Sequence, residues 1–289
     1  DTRLSRGLGD VYKRQVTEID EDPSLFPLAI QAGAVRQTSA LLAVYVDDGQ
    51  PVTIRVWQPG EGDIVTMYHD AEYTPDEGGY LKVVVEDLVP GEWFAWCALR
   101  ADGDGFSARS HIAQFRAALA DGVREPLTVA ISSCNGPLND PWPALQRTAR
   151  YEYDLFIHLG DMAYNDGCSS LDDFRERWKW YLSGDGFREV YAGAGMLATW
   201  DDHEITNDWS GTDVDGEKLK NGKKAFFETL AVEQGEDGQL WGSFRWGDTV
   251  EFFVLDSRSE RDEDGGMYLS YAQMPVSYTH LRAHETTVY

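Results

Sequence analysis

The segment YDLFIHLGDMAY, residues 153–164, decides how this chain folds. It opens with an apolar run, Leu155 to Ile157, then turns through Gly160 into Asp161. A short apolar run closed by a polar turn reads as a buried strand of an α/β sheet, and in such sheets ligands bind just past the carboxyl ends of the strands. The same rhythm recurs on both sides. LTVAISS (127–133) is a strand, PALQRTARYE (143–152) a helix, LDDFRERWKWYL (171–182) a helix, and MLATW (196–200) and TVEFFVLD (249–256) are two more strands. Strands alternating with helices predict an α/β layered domain over residues 126–275.

Upstream, ALADGVREP (118–126) reads as a linker, and before it the pattern is different. LLAVYVDD, PVTIRVWQ, YLKVVVED, EWFAWCAL and HIAQF are short β-type runs separated by turn residues, which predicts an all-β immunoglobulin- or fibronectin-like sandwich over residues 20–120. His69 and His111 in that region read as surface or packing residues. The two ends stand apart. Residues 1–15 are basic where the following chain is acidic, and residues 276–289, which carry His280 and His284, continue no earlier pattern. Both resemble translated adapter sequence and are assigned no function.

The 289 residues carry 25 Lys+Arg against 50 Asp+Glu, a net charge of -25. The tails hold five basic and three acidic residues, so the charge between them is -27. Such a chain lacks the cationic surface on which nucleic-acid and anionic-lipid binding depend. No stretch approaches the ~18 to 20 apolar residues that span a bilayer. Hydrophobic residues at 42%, including 10 Trp, are enough to build a core. The odd set Cys97, Cys134 and Cys168 leaves at least one thiol unpaired, and the compartment cannot be read from it.

Coordinating groups cluster where the strands end: Ser132-Ser133-Cys134-Asn135, His158 to Tyr164, Trp200-Asp201-Asp202-His203-Glu204 with Asn207-Asp208, and Asp256-Ser257-Arg258. Scattered carboxylates mean little in so acidic a chain, but carboxylates at buried strand ends cost several kcal/mol each unless a partner compensates them. Asp161 and Asp202 would repel without cations between them. Cations there would remove that repulsion and activate water. Cys134 and Tyr164 add donors suited to an oxidisable metal such as iron; the plainer alternative makes them core residues.

HLGD followed by Tyr164, then WDDHE with Asn207-Asp208, and SSC before them resemble the metal-binding motifs of PhoD-type alkaline phosphatases, within the calcineurin-like metallophosphoesterases. VLDSRSERD (254–262) and YLSYAQM (268–274) are similar to later blocks of that family, and FPLAIQAGAV with its β-region resembles the family's N-terminal domain. The resemblance runs from about Phe26 to Met274. It implies a two-sheet, four-layer metallophosphoesterase domain that hydrolyses phosphate esters through a metal-bound hydroxide or oxide. It implies ferric iron on Cys134 and Tyr164, Asp161 bridging to a second cation such as calcium or another divalent metal, and Asn207 as a further ligand. Asp202 stands where the wider superfamily has a ligating Asn, and His203 where it contacts phosphate and acts as general acid; these two are the expected catalytic residues. Asn135 and Arg258 are candidate phosphate contacts, with a structural ion pair as the alternative for Arg258.

The family's last ligands, a His and an Asp, come from beyond YLSYAQM. The expectation is therefore a domain incomplete at its C-terminus, with weak or no activity of its own. Expected substrates are small-molecule, lipid or nucleotide phosphate esters, in a periplasmic or extracellular setting; oligomeric state is open. Two further readings stand beside this one: a purple-acid-like or nucleotidase-like phosphoesterase, and a non-catalytic binding protein using the β-sandwich. A saline habitat would account for many of the surface carboxylates.

Overall fold

The computed structural model describes residues 16, 18–59, 66–235, 238–262 and 265–274; the two tails, with His280 and His284, lie outside the described residues except for the single residue Val16 beside the first. The chain forms strands β1 (Gln31–Gly33), β2 (Ala40–Tyr45), β3 (Val52–Gln58), β4 (Thr66–Tyr73), β5 (Tyr80–Val85), β6 (Trp93–Asp102), β7 (Gly105–Arg109) and β8 (Ala113–Arg116). After these come β9 (Val129–Ser132), helix α1 (Pro143–Thr148), β10 (Leu155–His158), α2 (Leu171–Ser183), α3 (Asp185–Gly193), β11 (Gly195–Ala198), α4 (Gly216–Thr229) and the hairpin β12 (Gly242–Trp246) with β13 (Val250–Val254).

The strands form a six-stranded sheet in the order β5-β2-β1-β11-β10-β9 and a second sheet in the order β4-β3-β6-β7, with β8 also on β6. In the first sheet β9, β10, β11 and β1 run parallel, while β2 and β5 add antiparallel. The alternation of β2 explains the layering. Ala43 and Tyr45 face one cluster that includes the helical residues Phe174, Trp178, Phe187 and Phe226, whereas Ala40, Leu42 and Val44 face another that includes Ile54, Val56, Phe94 and Trp96 of the second sheet. Successive side chains of a strand point to opposite faces, so helices cover one side of the first sheet and the second sheet covers the other.

All six residues of β2 are buried, which is why ALLAVY reads as an unbroken apolar run and not as alternation. The six-stranded sheet joins strands from both sides of residue 120, continuing from β1 through Gly33 opposite Met196 into the α/β strands. Hydrogen bonding therefore crosses the boundary expected near residue 120. Gly33 permits this approach, since a Cβ there would lie 1.8 Å from the Ala231 carbonyl oxygen.

Local signals set the helix starts. Ser170 accepts from the Asp173 amide at 3.2 Å and Asp173 accepts from the Ser170 amide at 2.9 Å, a reciprocal cap that begins α2. Asp215 caps α4 by accepting from the Lys218 amide at 2.9 Å. Among the described residues no helix is long and apolar enough to cross a membrane.

Candidate metal centre

Parallel pairing of β9, β10 and β11 brings three strand-end loops side by side. The loops are joined by main chain: the Cys134 amide donates to the Gly160 carbonyl at 3.2 Å, the Asn135 amide to the Asp161 carbonyl at 2.8 Å, and the Asn165 amide to the His203 carbonyl at 2.8 Å. Cys134 and Asp161 both adopt the left-handed conformation, with φ of 57° and 55°. Neither is glycine, so the surrounding bonds must hold them there. Gly160 precedes Asp161 at φ 103°, and a Cβ on it would lie 2.4 Å from the Asp201 amide nitrogen. Glycine is required at that position both by the turn and by the neighbouring loop.

One side chain ties these loops from beneath. Glu204 is fully buried, and its carboxylate accepts from the amides of Asp161 at 3.0 Å, Met162 at 2.5 Å and Asp201 at 2.9 Å. Burial pushes its pKa up to about 7 despite these bonds. Asn165 completes the stitching by donating to the Glu204 carbonyl at 2.9 Å, while its own buried Oδ1 has no partner.

Above this base, Asp161, Asp202 and His203 each offer a ligand atom, all within 4.8 Å of one another. The Cys134 thiol donates to Asp161 Oδ2 at 3.4 Å, and the His203 amide to Asp161 Oδ1 at 3.3 Å. Burial raises the Asp161 pKa. The Ser133 hydroxyl pulls the Cys134 thiol down, but burial and the Asp161 carboxylate outweigh it and the net shift is upward. Tyr164 stacks on the His203 ring with centroids 4.0 Å apart, and burial followed by the charges of Asp161 and Cys134 pushes its phenol up to about 12. The Cys134 thiol proton is thus held against the Asp161 carboxylate beside a second carboxylate and an imidazole. A cation would replace that proton, which makes the cluster a candidate metal site.

His203 is oriented by a residue that sequence reading passed over. Its Nδ1 lies 2.9 Å from both carboxylate oxygens of Asp166, so Nδ1 carries the proton and Nε2 is the free nitrogen. Burial alone would lower its pKa; the Asp166 bond and the neighbouring carboxylates outweigh that, and the ring is more basic than usual.

The structure therefore brings Cys134, Asp161, Tyr164, Asp202 and His203 together. Asn207 is on the same loop but exposed, its amide nitrogen donating to Asp208 at 2.7 Å. Arg258 is held by carboxylates: Nε donates to Asp201 at 2.7 Å and Nη2 lies 3.4 Å from Asp202. That is the ion-pair alternative, favoured because two acidic groups at a half-buried strand end attract the nearest guanidinium. Asp256 is 1% exposed and accepts from Trp200 Nε1 at 2.8 Å, which fixes the start of the Asp201-Asp202 loop. Asp166 was hidden among 50 acidic residues, and Glu204, though it stands in the strand-end cluster, was given no role. The signal that could have found Glu204 was the need of a Gly-Asp turn for an acceptor of its amides.

Residues 129–287 match the family described as PhoD-like phosphatase, a span that runs past Met274 into the C-terminal tail. Alkaline phosphatase D of Bacillus subtilis (strain 168) is 28% identical over 176 residues, covering 50% of this chain and 30% of that protein. A solved structure of PhoD superposes with a TM-score of 0.78 at 20% identity, covering 89% of this chain and 59% of that one. A purple acid phosphatase, PPD1, from yellow lupin (Lupinus luteus) seeds superposes with a TM-score of 0.60 at 14% identity, covering 92% of this chain and 49% of that one. At these identities the two structures establish the fold alone. The chain spans 30% of its curated relative and roughly half of the two solved ones.

Proposed function

The chain belongs to the PhoD-like phosphatase family, whose match takes in more than half of it, and on that premise we propose that its strand-end site hydrolyses phosphate esters with the help of bound metal ions. The observation that carries this reading is the convergence of Asp161, Asp202 and His203 within 4.8 Å, with Cys134 against Asp161 and Tyr164 against His203. Cys134, Tyr164 and Asp161 would hold ferric iron, and Asp161 with Asp202 and Asn207 would hold a second cation such as calcium. Cations held there would neutralise phosphate oxygens and lower the pKa of coordinated water toward ~7.

The protein's own groups then divide the remaining work. His203 holds one proton on Nδ1 against Asp166, and its raised pKa favours a second on Nε2, which would pass to the leaving oxygen. Tyr164 stacks on that ring and restricts its rotation. Arg258 braces Asp201 and Asp202 so that the Asp202 carboxylate stays aimed inward. Glu204 fixes both carboxylate-bearing loops in register. The substrates would be small-molecule, lipid or nucleotide phosphate esters, and the setting periplasmic or extracellular. The strands before residue 120 form, in this reading, the sandwich that supports the site and not a binding module of its own. The lupin phosphatase fold keeps a purple-acid-like reading alongside; Cys134 against Asp161 favours the PhoD type.

Metal content of the purified chain, loaded with iron and calcium, tests the reading together with hydrolysis of a chromogenic phosphate ester. We expect bound metal, lost in Cys134→Ala and Asp161→Asn, and a visible tyrosinate-to-iron band lost in Tyr164→Phe. Hydrolysis that persists undiminished in a chelator and in both ligand variants sinks it.

A further inference from the structure

We propose that Asn135 is a phosphate-oxygen donor of this site and that His158 is the positioning residue that turns its amide nitrogen outward. The inference rests on the phosphate-ester reading above and adds to it a residue pair and the direction in which the pair is polarised.

The argument is one of hydrogen-bond polarity. His158 is the last residue of β10 and has no exposed surface. Its Nδ1 accepts from the Gly160 amide at 3.3 Å, and a backbone amide can only donate. Nδ1 is therefore the unprotonated nitrogen, and Nε2 carries the ring proton. Burial holds the ring neutral, with a pKa near about 3, so no second proton reverses this assignment. Nε2 faces Asn135 Oδ1 at 2.5 Å, and the amide oxygen is the only atom of the Asn135 side chain that can accept. Rotating the Asn135 amide by half a turn would set its N–H groups against the Nε2–H group inside a sealed space.

The rest of Asn135 is fixed as well. Its backbone amide donates to the Asp161 carbonyl at 2.8 Å, and its carbonyl accepts from Trp142 Nε1 at 3.3 Å. Asn135 is only 7% exposed, yet among the described residues its amide nitrogen has no partner and is not sealed from solvent. Two N–H donors are therefore left without a partner on the residue that follows Cys134 and whose backbone amide bonds the Asp161 carbonyl. In a chain of charge -25, neutral donors of fixed direction suit an anionic oxygen without adding a cation that would compete with metal binding.

Two measurements test this on the metal-loaded chain. Nitrogen-15 NMR of the imidazole should find His158 in the Nε2–H tautomer; the Nδ1–H tautomer overturns the proposal. Calorimetry with inorganic phosphate should find binding weakened roughly ten- to a hundredfold in Asn135→Asp, which keeps the acceptor for His158 but removes both donors, with metal content unchanged. His158→Leu should weaken phosphate similarly, and His158→Gln, which can still donate, should restore most of the affinity. Unchanged phosphate affinity in Asn135→Asp with metals bound overturns the proposal alone. Absence of bound metal and of phosphate affinity in the unaltered chain overturns the phosphate-ester reading and this inference with it.

Discussion

The core between the two sheets and the loops at the strand ends are held by different forces. Between the sheets, Ile54, Val56, Phe94, Trp96 and Phe115 are fully buried and pack apolar surface on apolar surface, while the backbone bonds to backbone. At the strand ends, backbone amides bond instead to side chains, within and between loops: Glu204 takes three, Asp202 takes that of Asp208, Asp166 that of Asn207. The first region depends on volume and the second on charge and polarity. Shape-preserving substitutions should therefore separate them.

The largest effect expected is Trp96→Ala, which empties an indole-sized volume between the sheets and should cost about 4 kcal/mol in denaturant unfolding. The sharper contrast is between two substitutions that nearly preserve shape. Glu204→Gln keeps volume but sets an amide nitrogen against backbone donors, and should cost about 2 kcal/mol and weaken metal uptake. Ile54→Val removes one methylene and should cost about 1 kcal/mol with metal uptake unchanged. Equal losses of metal in both would break the comparison.

Acidification should weaken the fold through its buried histidines. Burial pushes His111 and His158 to about 3, below their unfolded value, so between about pH 6.5 and 3 the unfolded chain binds more protons and stability falls as pH falls. Glu204 has the opposite sign: its folded pKa of about 7 lies above its unfolded value, so its contribution is fully present below about pH 4.5 and is lost as pH rises to 7. Two histidines outweigh one glutamate, and the urea midpoint should drop below pH 6.5. His158→Gln should flatten the slope by up to about 1.4 kcal/mol per pH unit. The smallest effect expected is Asp166→Asn, which should lower the His203 pKa in an NMR titration and leave stability nearly unchanged.

The strand-end loops were legible because a strand that stops in Gly-Asp or Asp-Asp-His announces its own end. Parallel pairing then places successive ends together. Partners such as Asp166 were not legible, since their significance lies in which ring nitrogen they face. The shared sheet was missed for a different reason: the buried run of β2 looks the same whether its neighbours come from the adjacent hairpin or from a distant strand.

That sheet also governs the order of assembly. Gly33 meets Met196, 163 positions later, and among the described residues no nearer strand stands in for β11 at the edge of β1. Contacts of such long sequence separation form late, because the intervening chain must be ordered before they are made. During synthesis the first strands must wait with an open edge until β11 emerges, so the N-terminal half is the part of the chain most exposed to mispairing and to chaperone capture.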